Sequence, residues 1–121
     1  MYPFVVEPFT TGITDRIIII QTLGDYLVSV IGHMHYHGTR LTVEKDGIPW
    51  YRQDDWRDPP LMTFPQPLFL PVGTLLKLRC EYDNGVNTPV ATCNGVPCAL
   101  HDGPLAGNAQ CGFVGWQVSG S

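Results

Sequence analysis

Short apolar segments, separated by turn residues, make up most of the chain. The clearest segment runs from Thr74 to Tyr82, where apolar and charged residues alternate. Leu76, Leu78 and Cys80 fall on one side of this alternation, and the charged residues between them fall on the other. A period of two points successive side chains to opposite faces of a strand, so the segment predicts a strand with one buried face.

The remaining segments also predict strands. Arg16 to Thr22 contains four consecutive isoleucines, and such β-branched runs favour a buried strand over a helix. Lys45-Asp46-Gly47 predicts a hairpin turn, because Asp-Gly suits its positive φ angles. Further strands are expected over 2–9 (an edge strand), 26–31, 33–44, 48–53 and 110–118, with a turn at 11–15, a break at Gly32, and loops over 54–67 and 87–108. No stretch has helical periodicity, so the pattern predicts an all-β protein of sandwich or barrel type.

Composition agrees with one small domain. The chain has 121 residues, of which 44% are hydrophobic, 13 are glycine and 11 are proline. Seven basic residues against 11 acidic ones give a net charge of -4, which argues against a nucleic-acid-binding face. The isoleucine-rich run Ile17 to Gly24 is too short to span a membrane. No signal-peptide pattern opens the chain, which indicates a mature or excised domain.

Four cysteines allow two disulfides. The turn residues between Cys93 and Cys98 favour a small closed loop, and Cys80–Cys111 would then form a second bridge around it. A zinc site is the alternative, but the spacing contains no CxxC pair. Two disulfides predict a secreted, periplasmic or other oxidising location.

Three of the four histidines stand in His33-Met34-His35-Tyr36-His37-Gly38. On a strand, the three would share one face and Met34 would point to the core. Neutral imidazoles are good ligands for copper and for zinc. The alternative is an exposed histidine-rich strand that binds no ion.

Cupins also combine an HxH strand with a Pro-x-Gly turn, here Pro71-Val72-Gly73. The position of the cupin glutamate is occupied by Arg40, and that of the second-motif histidine by Leu76. If this chain were a cupin, it would have the cupin architecture but only half of the cupin metal ligands.

Three motifs together resemble a different family. They are His33-Met34-His35-x-x-Gly38, the segment Leu70 to Asn84, and Gln110-Cys111-Gly112-Phe113. This order is similar to the C-terminal domain of copper type II, ascorbate-dependent monooxygenases, which include peptidylglycine α-hydroxylating monooxygenase and dopamine β-hydroxylase. The resemblance spans residues 1–118 and implies a single antiparallel, jelly-roll-like β-sandwich, with 119–121 as a tail or linker remnant.

The resemblance implies a copper site. His33 and His35 match the two histidines that hold the oxygen-activating copper, while the family methionine corresponds to Gln110. Gln110, His37 or water would complete the shell, and zinc is a possible substitute metal. An amide oxygen is a harder ligand than a thioether, so Cu(I) would be held less firmly. The family also pairs the cysteines corresponding to Cys80 and Cys111.

Other family features are replaced. The arginine that grips a substrate carboxylate corresponds to Ile31, and the tyrosine near the substrate corresponds to Val114. The second copper domain is absent from these 121 residues, and His101 is better interpreted as a hydrogen-bonding loop residue. Met62, the acidic residues Asp54, Asp55 and Asp58, and the tryptophans Trp50, Trp56 and Trp116 are weaker candidates whose ordinary roles are packing or solvation.

These observations predict a copper-binding β-sandwich that hydroxylates a small substrate with electrons from an external donor, partner domain or partner chain. The alternative is a non-catalytic metal-binding or interaction module with a partial site. Neither interpretation involves nucleic acid or a membrane span.

Overall fold

The computed structural model describes residues 5–20, 25–101 and 111–118, and these residues form strands joined by turns and loops. No helix occurs among them, so none in this part of the chain is long and apolar enough to cross a membrane. In chain order the strands are β1 Val5–Val6, β2 Thr10–Ile19, β3 Asp25–Met34, β4 Gly38–Lys45, β5 Ile48–Gln53, β6 Leu61–Leu70, β7 Leu75–Asn84, β8 Thr92–Cys93, β9 Val96–Pro97, β10 Leu100–His101 and β11 Cys111–Val118.

Two antiparallel sheets form the body of the protein. One has four strands in the order β2-β7-β4-β5, and the other has three in the order β11-β3-β6. Two short ladders, β1-β10 and β8-β9, add to them. Apolar residues from both main sheets form a common core. The predicted all-β antiparallel sandwich is therefore confirmed.

Strand β7 shows how alternation builds this core. Leu76, Leu78, Cys80 and Tyr82 are all buried, whereas the charged residues between them are only half-buried. Full burial of an aliphatic side chain contributes about 1.5–3 kcal/mol, so this one strand anchors the four-stranded sheet on the core. The predicted inward face of the segment is confirmed.

Both predicted disulfides are present. Cys80 of β7 is bonded to Cys111 of β11, so this bridge joins the two sheets of the sandwich. Cys93 is bonded to Cys98 around the β8–β9 hairpin, whose turn residue Asn94 has a φ of 52°. The bridges agree with the oxidising compartment that disulfides require.

Two glycines do not have the roles that the sequence pattern suggested. Residues 11–15 were expected to form a turn, but they lie inside β2, where a Cβ on Gly12 would come within 2.6 Å of Val6 Cγ2. Gly32 was expected to break a strand, but it lies inside β3 and donates its N–H to the Tyr51 hydroxyl at 2.8 Å. Both glycines provide room for a close neighbour and do not turn the chain.

The isoleucine run is a strand, but it is not buried. Ile17 is 60% exposed and Ile19 is 50% exposed. Strand β2 lies at the edge of the four-stranded sheet, and the opposing sheet has only three strands. The expectation of a buried strand is therefore wrong, because Ile17 and Ile19 pair with Lys77 and Leu75 on the face of β7 that points away from the core.

Three further predicted segments also differ from the structure. The second half of the expected 54–67 loop belongs to β6, which carries Pro65 and Pro67. This strand is the edge of its sheet, where proline costs no ladder hydrogen bond. The expected edge strand over 2–9 is reduced to Val5–Val6 in the described residues, and the 87–108 loop contains three short strands.

The Asp46-Gly47 hairpin forms as expected. Both residues have positive φ, 51° and 83°, which is the pattern of a type I′ turn. The Asp46 carboxylate also accepts a hydrogen bond from the Leu75 N–H at 2.9 Å. The turn therefore fixes the β4–β5 register and the start of β7 together.

Candidate functional site

His33 and His35 lie side by side at the end of β3. His33 is exposed and belongs to the strand, and the half-buried His35 follows its last residue. Their ring centroids are 5.1 Å apart and the rings meet edge to face, at 88°. The structure thus brings together the two histidines that the sequence identified as the centre of the site.

The ladder between β3 and β11 positions the pair. Gly112 is the register partner of His33, and Cys111 is the partner of Met34. Met34 is 1% exposed, which confirms that it belongs to the core and faces away from the two histidines. Because Cys111 is also bonded to Cys80, the backbone beneath the histidines is tied to both sheets.

The histidine segment is not one continuous strand, as 33–44 was expected to be. Strand β3 ends at Met34, Tyr36 and His37 form a turn, and β4 begins at Gly38. The Gly38 N–H donates to the His35 carbonyl at 3.1 Å, which closes the turn. The φ of 81° at His37, the third turn residue, is the mark of a type II turn.

Gly38 is required by close packing. A Cβ at this position would lie 2.9 Å from Met34 Cβ and 3.2 Å from the His35 carbonyl oxygen. The glycine of the HxHxxG pattern therefore lets the returning chain press against the residues that carry the histidines. The sequence contained this signal, but alternation alone could not show what Gly38 touches.

His37 has a different environment from the other two histidines. It is only 8% exposed, and its Nδ1 lies 3.2 Å from the Asp83 carbonyl oxygen. The Asp83 N–H donates in return to the His37 carbonyl at 3.0 Å. Burial lowers the pKa of His37, against a smaller opposite effect of its contacts with Asp83. These contacts make His37 a link between the turn and the end of β7.

The described residues contain no group of three histidine, cysteine or acidic side chains placed to hold a metal. His37 therefore does not join His33 and His35 in such a group, because the strand alternation that would align it stops at Met34. Gln110, the other predicted ligand, lies outside the described residues, as do residues 119–121. It directly precedes Cys111, whose register partner Met34 stands between the two histidines.

An apolar surface adjoins His33 on the outer side of the three-stranded sheet. Ile31 pairs with Val114 on one side and with Leu61 on the other. Val114, Leu61 and Trp116 are each about half exposed, at 49%, 59% and 50%. In the sequence, Ile31 and Val114 stand out only as replaced family positions, and nothing in the predicted strand pattern points to Leu61. Outward alternation on β6 would have been the signal, but those residues were assigned to a loop.

The other sequence candidates occupy separate places. Met62 pairs with the buried Val30 and packs on the core, so it faces the side opposite to His33. His101 is exposed on β10 and pairs with Val5. Trp50 stacks on Phe64 with ring centroids 6.0 Å apart.

The acidic loop carries paired charges. Asp54 accepts hydrogen bonds from Arg52 and Arg40, and Asp55 accepts them from Arg57. These arginines lower the pKa of both carboxyls, chiefly through the hydrogen bonds from Arg52 and Arg57. Both aspartates are therefore ionised and already engaged at neutral pH.

No protein-family model matches the chain, and no curated protein matches it. The resemblance to the copper monooxygenases stays a hypothesis carried by the motifs.

Proposed function

We propose that this protein is a copper-binding β-sandwich resembling the oxygen-activating domain of copper-dependent monooxygenases, with His33 and His35 as protein ligands. The observation that carries the proposal is the 5.1 Å separation of the two ring centroids at the end of β3. A metal–imidazole nitrogen bond is about 2.0–2.1 Å long, so two rings at this distance can bind one ion after rotation of one ring.

The donor set suits copper. Two imidazoles in the neutral form bind copper or zinc. Gln110, which corresponds to the family methionine, is a candidate for a third protein ligand and lies outside the described residues. Water would fill the remaining positions. Without a thioether, the site favours Cu(I) less than the family site does.

Bound copper would supply oxygen activation and removal of a hydrogen atom from the substrate, with electrons from an external reductant. The chain's own contribution is the surface beside the histidines. Ile31 and Val114 offer no positive charge to a carboxylate, and Leu61 and Trp116 extend the same apolar surface. We therefore expect an uncharged, largely apolar substrate. The two disulfides support a secreted or periplasmic location.

The second candidate function is a non-catalytic metal-binding or interaction module. It is favoured by the absence, within the described residues, of any third histidine, cysteine or acidic side chain at the pair. A two-histidine site with exchangeable outer ligands can carry or sense an ion without performing turnover.

Metal analysis tests the site. The purified protein is loaded with one equivalent of copper, dialysed and measured beside a His33→Ala/His35→Ala double variant. His101→Ala is the matched control, since His101 is also exposed but lies on β10. We expect the wild type and the control to retain about one copper ion per chain and the double variant to lose it. Equal copper in all three proteins would overturn the site.

Turnover then separates the two candidate functions. Oxygen consumption with ascorbate is measured for the copper-loaded protein and for the same concentration of free copper. A rate above that of free copper, lost in the double variant, supports the monooxygenase. Tight copper binding with no excess rate supports the module.

A further inference from the structure

A groove beside the histidine turn suggests a second binding site. It is lined by Tyr36 from the turn, Thr39 from β4, the loop residues 54–57, and Thr88 and Pro89 after β7. Its volume is about 340 Å³, within the range of small-ligand pockets. We refer to it as the Trp56 groove.

The walls of the Trp56 groove are held in place by internal bonds. The side-chain amide of the fully buried Gln53 donates to the Asp55 carbonyl at 2.8 Å. The Asp83 carboxylate accepts the N–H groups of Val86 and Asn87 at 2.8 and 2.9 Å, which fixes the loop that leads to Pro89. The groove is therefore built before any ligand arrives, which reduces the ordering cost of binding.

Two aromatic rings form the apolar part of the groove. The rings of Tyr36 and Trp56 meet at 87° with centroids 5.7 Å apart, and Tyr36 is 41% exposed. The face of an aromatic ring carries partial negative charge, and it attracts the weakly positive C–H groups of a flat ligand face. A ring-shaped ligand with an apolar face fits such a corner.

The polar part of the groove carries charges that are already paired. Arg57 donates to Asp55 at 3.1 and 3.2 Å, and Asp54 is held by two other arginines. An ionic ligand would have to break these pairs to gain a full charge contact. Hydroxyl groups can accept from the guanidinium and donate to the carboxylates while the pairs remain.

From these features we infer that the Trp56 groove binds a neutral, polyhydroxylated ring compound, that is, a carbohydrate. The apolar face of the sugar stacks on Trp56, its rim contacts the perpendicular ring of Tyr36, and its hydroxyl groups bond to Asp54, Asp55 and Arg57. The inference does not depend on copper binding by His33 and His35. Affinity for one sugar ring should be on the order of 1 mM, as expected for a small ligand in an open groove.

The test is an NMR titration of the ¹⁵N-labelled protein, with and without copper. The probes are neutral methyl glycosides of glucose, galactose, mannose and N-acetylglucosamine, with choline chloride and inorganic phosphate as ionic comparators. We expect at least one glycoside to shift the amides of residues 54–57 and Tyr36, and the ionic probes to leave them unchanged. Shifts with choline or phosphate alone, or no shift with any glycoside, would overturn the inference.

Variants locate the binding. Trp56→Ala should weaken glycoside binding at least tenfold, while Phe69→Ala, which removes an exposed aromatic side chain from β6, should not change it. Trp56 also packs against the core. If its variant does not fold, Arg57→Ala replaces it, because that side chain is 70% exposed and its loss should weaken binding severalfold. Equal weakening in Phe69→Ala, or none in a folded Trp56→Ala or Arg57→Ala protein, would contradict the assignment.

Discussion

The disulfide between the two sheets should be worth clearly more stability than the hairpin disulfide. Cys80 and Cys111 are separated by 31 residues, and Cys93 and Cys98 by only 5. In the chain-entropy description, closing these loops removes unfolded-state entropy worth about 3.7 and about 2.1 kcal/mol at 25 °C. The paired variant Cys80→Ala/Cys111→Ala should therefore lose about 1.6 kcal/mol more than Cys93→Ala/Cys98→Ala.

Burial acts in the same direction. Cys80 is fully buried in the core, whereas Cys93 is exposed on the short β8–β9 hairpin. Replacing Cys80 removes a sulfur that contacts core side chains and leaves a small cavity, which adds to the entropic loss. A domain of this size changes its melting temperature by roughly 4 °C per kcal/mol, so the expected decreases are about 15 °C and about 8 °C.

Urea denaturation followed by tryptophan fluorescence measures both losses as free energies of unfolding. The two double-alanine variants are compared with the wild type under identical, non-reducing conditions, and similar m-values establish that the unfolded states are comparable. A hairpin variant that loses as much stability as the inter-sheet variant would refute the reasoning, since loop length and burial would then not determine the effect.

Three further outcomes follow from the structure. Gly38→Ala should lower the free energy of unfolding by about 1–3 kcal/mol, because its Cβ would collide with Met34. In the control Gly112→Ala the nearest atom is 3.8 Å from the new Cβ, so the midpoint of urea denaturation should stay close to that of the wild type. Because burial lowers the pKa of His37 below its ordinary 6.5, the unfolded chain takes up that proton first as pH falls. The contribution of His37 to the free energy of unfolding should be fully present above pH 6.5 and should decrease below it. His37→Asn should reduce this decrease in urea curves measured at several pH values, and an unchanged pH dependence would exclude His37 as its source. Ile17→Lys, at a 60% exposed position on the free edge strand, should reduce self-association in light scattering without lowering stability, and an unchanged scattering signal would show that this edge does not associate.

The sequence was informative wherever one local rule decides the outcome. The alternation in 74–82 predicted which residues of β7 face the core, and Asp46-Gly47 predicted a hairpin that forms. Cysteine spacing predicted both disulfides. For the candidate site, the HxH spacing was sufficient to bring His33 and His35 together, because residues two apart at a strand end share one side.

Tertiary structure decided the features that depend on neighbours distant in sequence. Whether an isoleucine of β2 is buried depends on which face of β7 it pairs with, and an unbroken run of isoleucines does not contain that register. Gly12 and Gly32 resemble breaks in the sequence, yet each faces a side chain from another segment that leaves no room for a Cβ. His37 does not share a face with His33 and His35, because its backbone turns at positive φ and its ring contacts the Asp83 carbonyl. Local alternation thus determined the strands and the histidine pair, while long-range packing determined what each face covers, because burial is a property of contacts between segments.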